Sequence, residues 1–281
     1  MSSINRFKEK TALAIITCNR EDFLEKSLST VDFNAVDKVF IINAGKHLQK
    51  VPDNVTLIQC IRNPTVVGIA KNIALREMKH AGYEFLFLME DDVLVKNNEV
   101  FQKYIETAMD SGLWAGQLSY GTHGGIGGGN VGKEGEALTR LTVQYDKHKV
   151  DLYKHSLHAF VLYHANTIDH IGYMSENYLN AAEHLDHYYV AFLKGLGNHY
   201  WYFPDIENSF EYLEDIDKNH ENSVIRKSDD FSQNFSQSWG IFKEKYSAYP
   251  HEITDSSTEE VQERLDFLEK NYSQKNMLET S

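Results

Sequence analysis

The sequence predicts an α/β fold, a mostly parallel central sheet flanked by helices and followed by a helical C-terminal tail. Two observations predict it. Between residues 11 and 95 the apolar runs "TALAIIT", "KVFIINA", "VTLIQCI" and "EFLFLME" recur in a regular rhythm, each separated from the next by a polar or helix-like segment. Parallel strands are buried on both faces and joined by crossovers, so they read as short continuous apolar runs of this kind. The chain is also 281 residues long and 42% hydrophobic, ample for a core in one large α/β domain or two small ones. No internal repeat or long low-complexity linker divides it, which makes one domain with a helical tail the simplest organisation.

The elements follow in order. After the first strand, Phe23, Leu24, Leu28 and Val31 in "NREDFLEKSLSTV" fall at helical spacing. After the third, "VGIAKNIALREMKHAG" repeats Ile69, Ile73 and Met78 on one face and stops near Gly82. Beyond the fourth, Val100, Tyr104, Ile105 and Met109 form the inward stripe of "NNEVFQKYIETAMDSG". Then "YGTHGGIGGGNVGKEGEA" places eight glycines in 18 residues. Such a stretch predicts a mobile flap; as a phosphate cradle it lacks the lysine and hydroxyl ending of a P-loop. From residue 156 the chain turns aromatic and histidine-rich, and "AAEHLDHYYVAFLKGLGNHYWYFPD" predicts a helix from near Ala181 to Gly195 and Gly197. A short strand, "HYWYFP", closed by Pro204, comes next. The tail "SSTEEVQERLDFLEKNYSQKN" reads as an exposed helix with a capping signal and a narrow apolar stripe.

A formal charge of −13 argues against nucleic acid or anionic lipid as partners, since a phosphate-tracking surface needs an excess of Lys and Arg. The two cysteines, Cys18 and Cys60, lie within or beside apolar runs and read as buried thiols of a reduced compartment, not as a disulfide. Near the N-terminus the longest apolar run is five residues, too short for a signal-peptide core, and no run reaches the roughly 18 residues of a membrane span. The expectation is a cytoplasmic protein without stable membrane insertion.

The stretch "FLFLMEDDVLV" drives an apolar strand into Glu90, Asp91 and Asp92. Adjacent carboxylates repel one another and resist desolvation, so they face open water or hold a cation. Alternate strand residues share a side, so Glu90 and Asp92 can converge while Asp91 points away. Hard carboxylate oxygens suit Mg²⁺ or Mn²⁺.

Five segments taken in order, "IITCNREDFLEKSLSTV", "GIAKNIALR", "FLMEDDVLV", "AAEHLDHYYVAFLKGLGNHYWYFPD" and "HENSVIRKSDDFSQNFSQSWGIFKEKY", resemble the family-2-like GT-A glycosyltransferases over about residues 11 to 246. The resemblance implies a Rossmann-like GT-A domain over residues 1–250, with a donor half at about 11–120, an acceptor half at about 121–250 and a tail at 251–281. It implies inverting transfer of a sugar from a nucleotide-sugar, a UDP-sugar by default, to a glycan or other hydroxyl acceptor, with bacterial surface polysaccharide as the default pathway. By the same resemblance Asp92 is a metal ligand, joined by Glu90 and by His220 in "DKNHENS". Glu90 or Asp91 is then a ribose or water-mediated contact. Thr17, Asn19 and Arg20 would line the base and ribose pocket with Asn43, where the family commonly has an acid. Lys71 and Asn72 match the donor-site helix.

The family often supplies the acceptor's base from a Glu-Asp pair at a helix start. Here His184 holds the second position, and Glu183 and Asp186 share a helical face with His187 one turn beyond. The base is therefore open among Asp186, Glu183 and His184. His123 in the glycine stretch is a weaker candidate, and Trp201, Tyr202 and Trp239 read as core. Three other readings compete: a nucleotidyltransferase, for which "TCNREDF" lacks the glycine-rich basic loop; a non-catalytic carbohydrate- or partner-binding relative; and a transferase acting on modified nucleic acid, disfavoured by the charge. The tail helix offers a surface for a homo-oligomer.

Overall fold

The first apolar run forms β1 (Thr11–Thr17), buried along its whole length. In the computed structural model, which describes residues 6–48, 50–60, 66–218 and 220–274, the next elements are α1 (Glu21–Ser29), β2 (Lys38–Asn43), β3 (Val55–Gln59), α2 (Val67–His80) and β4 (Phe85–Glu90). After them come β5 (Val93–Val95), α3 (Val100–Ser111), β6 (Leu118–Ser119), β7 (Leu141–Gln144), β8 (Lys149–Tyr153), β9 (Phe160–His164) and α4 (Ala165–Ile171). The chain continues through α5 (Glu183–Leu193), β10 (Phe203–Ile206), β11 (Leu213–Asp215), α6 (Phe231–Tyr246) and α7 (Thr258–Tyr272). The end of the third apolar run and the last residues of the tail lie outside the described residues.

The central sheet has the order β3-β2-β1-β4-β9-β6. Its first four strands pair in parallel, while β9 runs antiparallel to both β4 and β6. Strand alternation splits the core in two. Leu13 and Ile15 of β1 and Phe85, Phe87 and Met89 of β4 face one side, where α1, α3 and α7 pack. Ala12, Ala14, Ile16, Leu86 and Leu88 face the other, against α2 and α4. Edge-to-face and tilted contacts join Phe87, Phe101, Tyr104 and Phe160, with Phe87 and Phe101 centroids 5.1 Å apart.

Two small antiparallel sheets complete the fold, β10-β8-β7 and β11-β5. Here the structure corrects the strand expected at "HYWYFP": Trp201 adopts φ +72°, which breaks the extended chain, and β10 begins at Phe203 and runs through Pro204. Pro204 is tolerated because β10 is an edge strand.

The tail helix is also corrected. Ser257 and Glu260 form the expected capping box, but Val261, Leu265 and Leu268 are fully buried in the main core cluster. The stripe that an intermolecular contact would use packs inside the chain. α7 lies so close to the end of α3 that a Cβ on Gly112 would meet the Leu268 carbonyl oxygen at 2.2 Å. Gly112 also takes φ +75°, the left-handed cap that glycine favours. Both cysteines are free thiols. No helix among the described residues is long and apolar enough to cross a membrane.

Candidate functional site

The register sets Ile16 beside Glu90 and Thr17 beside Asn43, so the C-terminal ends of β1, β2 and β4 form one edge. Open α/β sheets bind their ligands at such an edge. Asp91 turns into the protein, fully buried, and accepts hydrogen bonds from Thr17 Oγ1 (2.6 Å) and from Arg20 Nη2. Burial lifts its carboxyl to about 7 in spite of Arg20 and Thr17. Arg20 Nη1 also donates to Asp92 Oδ2 at 3.0 Å and lies 3.7 Å from Asp217 Oδ2. The second oxygen of Asp92, Oδ1, is buried and has no hydrogen-bond partner. Glu90 and Asp92 converge, and His123 from the glycine-rich stretch joins them, with one ligand atom from each of the three lying within 4.8 Å of the others. An orphaned buried carboxylate oxygen beside another carboxylate and an imidazole is a donor set that suits a divalent cation.

On the other side of Glu90 stands Lys71, almost fully buried, 3.5 Å from Glu90 Oε1 and 3.2 Å from Glu183 Oε1. Burial alone would favour a neutral amine, but Glu183 and Glu90 outweigh it and keep the ammonium charged above the ordinary lysine range. Burial likewise pushes the Glu183 carboxyl up, while Lys71 and His184 pull it further down, well below the usual carboxylate range. Two details bring α2 and α5 together. Asn180 Oδ1 accepts from Val67 N at 2.7 Å, capping α2, and Gly68 leaves room where a Cβ would come 3.4 Å from Glu183 Cγ. His184 Nδ1 lies 3.3 Å from Glu183 Oε1, and its side chain keeps 21% of its surface exposed.

Asp186 belongs elsewhere. It is buried against α6, accepting from Lys245 Nζ (2.7 and 3.0 Å) and from Tyr246 Oη (2.8 Å). The helical spacing that grouped Glu183 with Asp186 therefore does not bring both to the site. His187 is buried too, with Nε2 donating to the Gly172 carbonyl at 2.9 Å, and burial holds it below the usual histidine range.

The glycine-rich stretch is held at its base rather than loose throughout. Gly121 N donates to Asp205 Oδ2 (2.8 Å), Gly124 N donates to Asp215 Oδ2, and the buried Asn130 amide donates to the Gly121 and His155 carbonyls at 2.7 Å each. Its exposed part begins near Ile126. His220 takes φ +57° and stacks edge-on to His123 with ring centroids 6.0 Å apart, outside the converging trio.

Of the other expected residues, Asn19 is exposed at φ +55° and accepts from Lys46 N at 2.8 Å. Asn43 is fully buried; its amide donates to the Lys46 carbonyl and to Gln59 Oε1 and accepts from Gly45 N, which organises the turn after β2. Asn72 is also fully buried and pins Met174 through its backbone N–H and carbonyl. Both amides are spent on the fold, which leaves no donor free for a base edge or a phosphate. Sequence reasoning missed the closing acids Asp215 and Asp217, and His158, whose ring centroid lies 5.7 Å from that of His184. His158 had one visible sign, its place in a histidine-rich run; its φ of +58° and its unpaired, buried Nδ1 are visible only in three dimensions.

No protein-family model matches the chain, and no curated protein matches it in sequence. Solved structures do match. TarS 1-349 from S. aureus aligns at 15% identity over 92% of this chain and 83% of that one, with a TM-score of 0.50. The mannosyltransferase PcManGT from Pyrobaculum calidifontis, solved with GDP-Man and Mn²⁺, aligns at 12% identity over 64% of this chain and 52% of its own, TM-score 0.41. GalNAc-T7, solved with UDP, GalNAc and Mn²⁺, aligns at 8% identity over 64% and 40%, TM-score 0.47. The first likeness, spanning nearly the whole chain, shows the fold, which is of the GT-A type.

Proposed function

We propose that the chain is a metal-dependent glycosyltransferase that moves a sugar from a nucleotide-sugar to a hydroxyl acceptor with inversion. The observation that carries this reading is the unpaired, buried Asp92 Oδ1 beside Glu90, at the C-terminal edge of a parallel sheet, linked through Lys71 to Glu183 and His184. Glu90 and Asp92 would hold a divalent cation, Mn²⁺ or Mg²⁺, which when bound neutralises the charge growing on the departing diphosphate. Arg20 offsets part of the charge of Asp91, Asp92 and Asp217, and Thr17 and Arg20 keep Asp91 turned inward as support for its neighbour.

On the acceptor side, a Glu183 carboxylate facing Nδ1 of His184 favours the tautomer whose Nε2 is a free base. His184 then takes the proton of the acceptor hydroxyl, and Glu183, anchored by Lys71, stabilises the imidazolium that forms. One base and a direct displacement correspond to inversion. A UDP-sugar is the donor to test first, and a glycan hydroxyl of the bacterial surface type is the acceptor class, both on the resemblance of the motifs.

The test is a panel of nucleotide-sugars in thermal shift with and without Mn²⁺. A ligand that binds the native state alone, at about a hundred times its Kd, adds about 2.7 kcal/mol of stability. Asp92→Asn should fold and lose this Mn²⁺-dependent shift. Donor binding that survives a chelator in the parent chain, or survives Asp92→Asn, contradicts the reading.

A further inference from the structure

We propose that His123, oriented by Asp215, is the third protein ligand of the divalent cation, so that the cation fastens the glycine-rich stretch to the end of β4. This rests on the metal-dependent reading above. The motif resemblance points to His220 for that place, and the geometry points elsewhere. His123 is the imidazole whose ligand atom falls within 4.8 Å of those of Glu90 and Asp92. It is 4% exposed, and its Nδ1, though 3.3 Å from Asp215 Oδ2, lacks the alignment of a hydrogen bond and stays unpaired. The trio thus holds a buried carboxylate oxygen without a partner, Asp92 Oδ1, and with His123 Nδ1 facing Asp215 the other ring nitrogen, Nε2, would be the ligand atom. A buried polar atom without a partner is costly, and one inside a converging set of ligand atoms is the mark of a missing ligand.

The backbone on either side of His123 is built for this. Buried Asp205 accepts from Gly121 N and buried Asp215 accepts from Gly124 N, so the ring is carried on a segment pinned at both ends by carboxylates. Gly124 takes φ +77°, and a Cβ there would come 2.8 Å from His220 Nε2, so glycine is required for the two histidines to lie side by side. Asp215 beside the imidazole is the arrangement by which a neighbouring carboxylate fixes the orientation of a ligating histidine and strengthens it as a donor. Asp215 is joined to the acidic strand end as well, because it pairs with Val93 across β5 and β11, and Ile216 N donates to the Asp92 carbonyl at 2.9 Å. A cation on Glu90, Asp92 and His123 would therefore close a ring of contacts through β4, the glycine stretch and β11. Its binding should order residues 121–132 before any nucleotide arrives.

The experiment uses Mn²⁺ alone with the full chain, following affinity by calorimetry, nitrogen coupling to bound Mn²⁺ by pulsed electron paramagnetic resonance, and hydrogen exchange over 121–132. Removing His123 as His123→Ala should weaken Mn²⁺ by about tenfold or more, and His220→Ala by less than about threefold, the first being the scale on which a metal site's ligands and their supports matter. Mn²⁺ should slow exchange over 121–132 in the parent chain and not in His123→Ala. If His123→Ala does not fold, His123→Gln carries the same reading, and loss of the nitrogen coupling separates a ligand from a merely structural residue. Parent-chain Mn²⁺ without nitrogen coupling, unchanged affinity in the His123 variants, or the larger loss in His220→Ala overturns the assignment. A parent chain that binds no Mn²⁺ overturns the metal-dependent reading itself, an outcome distinct from these.

Discussion

Glu183 and Asp186 lie three residues apart on α5 and do different work. Glu183 looks across to Lys71 and the acidic strand end, whereas Asp186 clamps α6 through Lys245 and Tyr246. Removing a general base typically lowers a rate by about 10² to 10⁴ while leaving ground-state contacts intact. His184→Ala should therefore collapse turnover and spare Mn²⁺-dependent donor binding. Asp186→Asn should keep its turnover and lose stability, on the order of 1–3 kcal/mol for hydrogen bonds to a charged group. Steady-state rates and denaturant melts on the two variants decide it: a slow, stable Asp186→Asn would place the base at Asp186 instead. At this scale the sequence announced the acidic triplet and the split between Glu90 and Asp92, because strand alternation is a local rule. It could not announce which of two acids on one helical face meets Lys71, since contacts from outside the helix, such as Asn180 on Val67 N and Lys245 on Asp186, settle that.

The elements were legible in proportion to their length and period. β1 to β4 and α1 to α3 come from runs long enough to show a buried strand or an apolar stripe. The strands β5, β6, β7 and β11, two to four residues each, carry no readable pattern. They nevertheless bring Asp215 and the glycine stretch to the site. The helix α7 was legible as a helix and misread as exposed, because a narrow stripe with charges around it gives no hint of what covers the stripe. Its burial makes it part of the core. Leu265→Ala should cost about 2–5 kcal/mol, the usual range for removing a buried leucine side chain. The whole chain should unfold at lower denaturant in a single transition; a shift below about 0.5 kcal/mol, the surface-mutation scale, would mean that α7 is an appendage after all.

Across the whole molecule, a net charge of −13 surrounds a site whose own acids outnumber Arg20 and Lys71, so the field draws cations in. The site is also a product of distance along the chain. Thr17 meets Asp91 across 74 positions, Gly124 meets Asp215 across 91, and Lys71 meets Glu183 across 112. Loop closure over such spans must be completed before any of these contacts returns energy, and topologies rich in distant pairings fold slowly. The contact between Gly124 and Asp215 therefore has a meaning in time as well as in space: a chain that has formed its first four strands but not β11 should still lack the complete cation site. When the denatured protein is diluted into buffer with Mn²⁺, helical signal should recover first and Mn²⁺ capture only with the slowest phase. Capture in the earliest phase would show that the acidic strand end binds the ion without the glycine-rich stretch. If capture does come last, the ion is a readout of chains that have finished folding, and a cell that makes this protein would find the unfinished ones inactive rather than half-active.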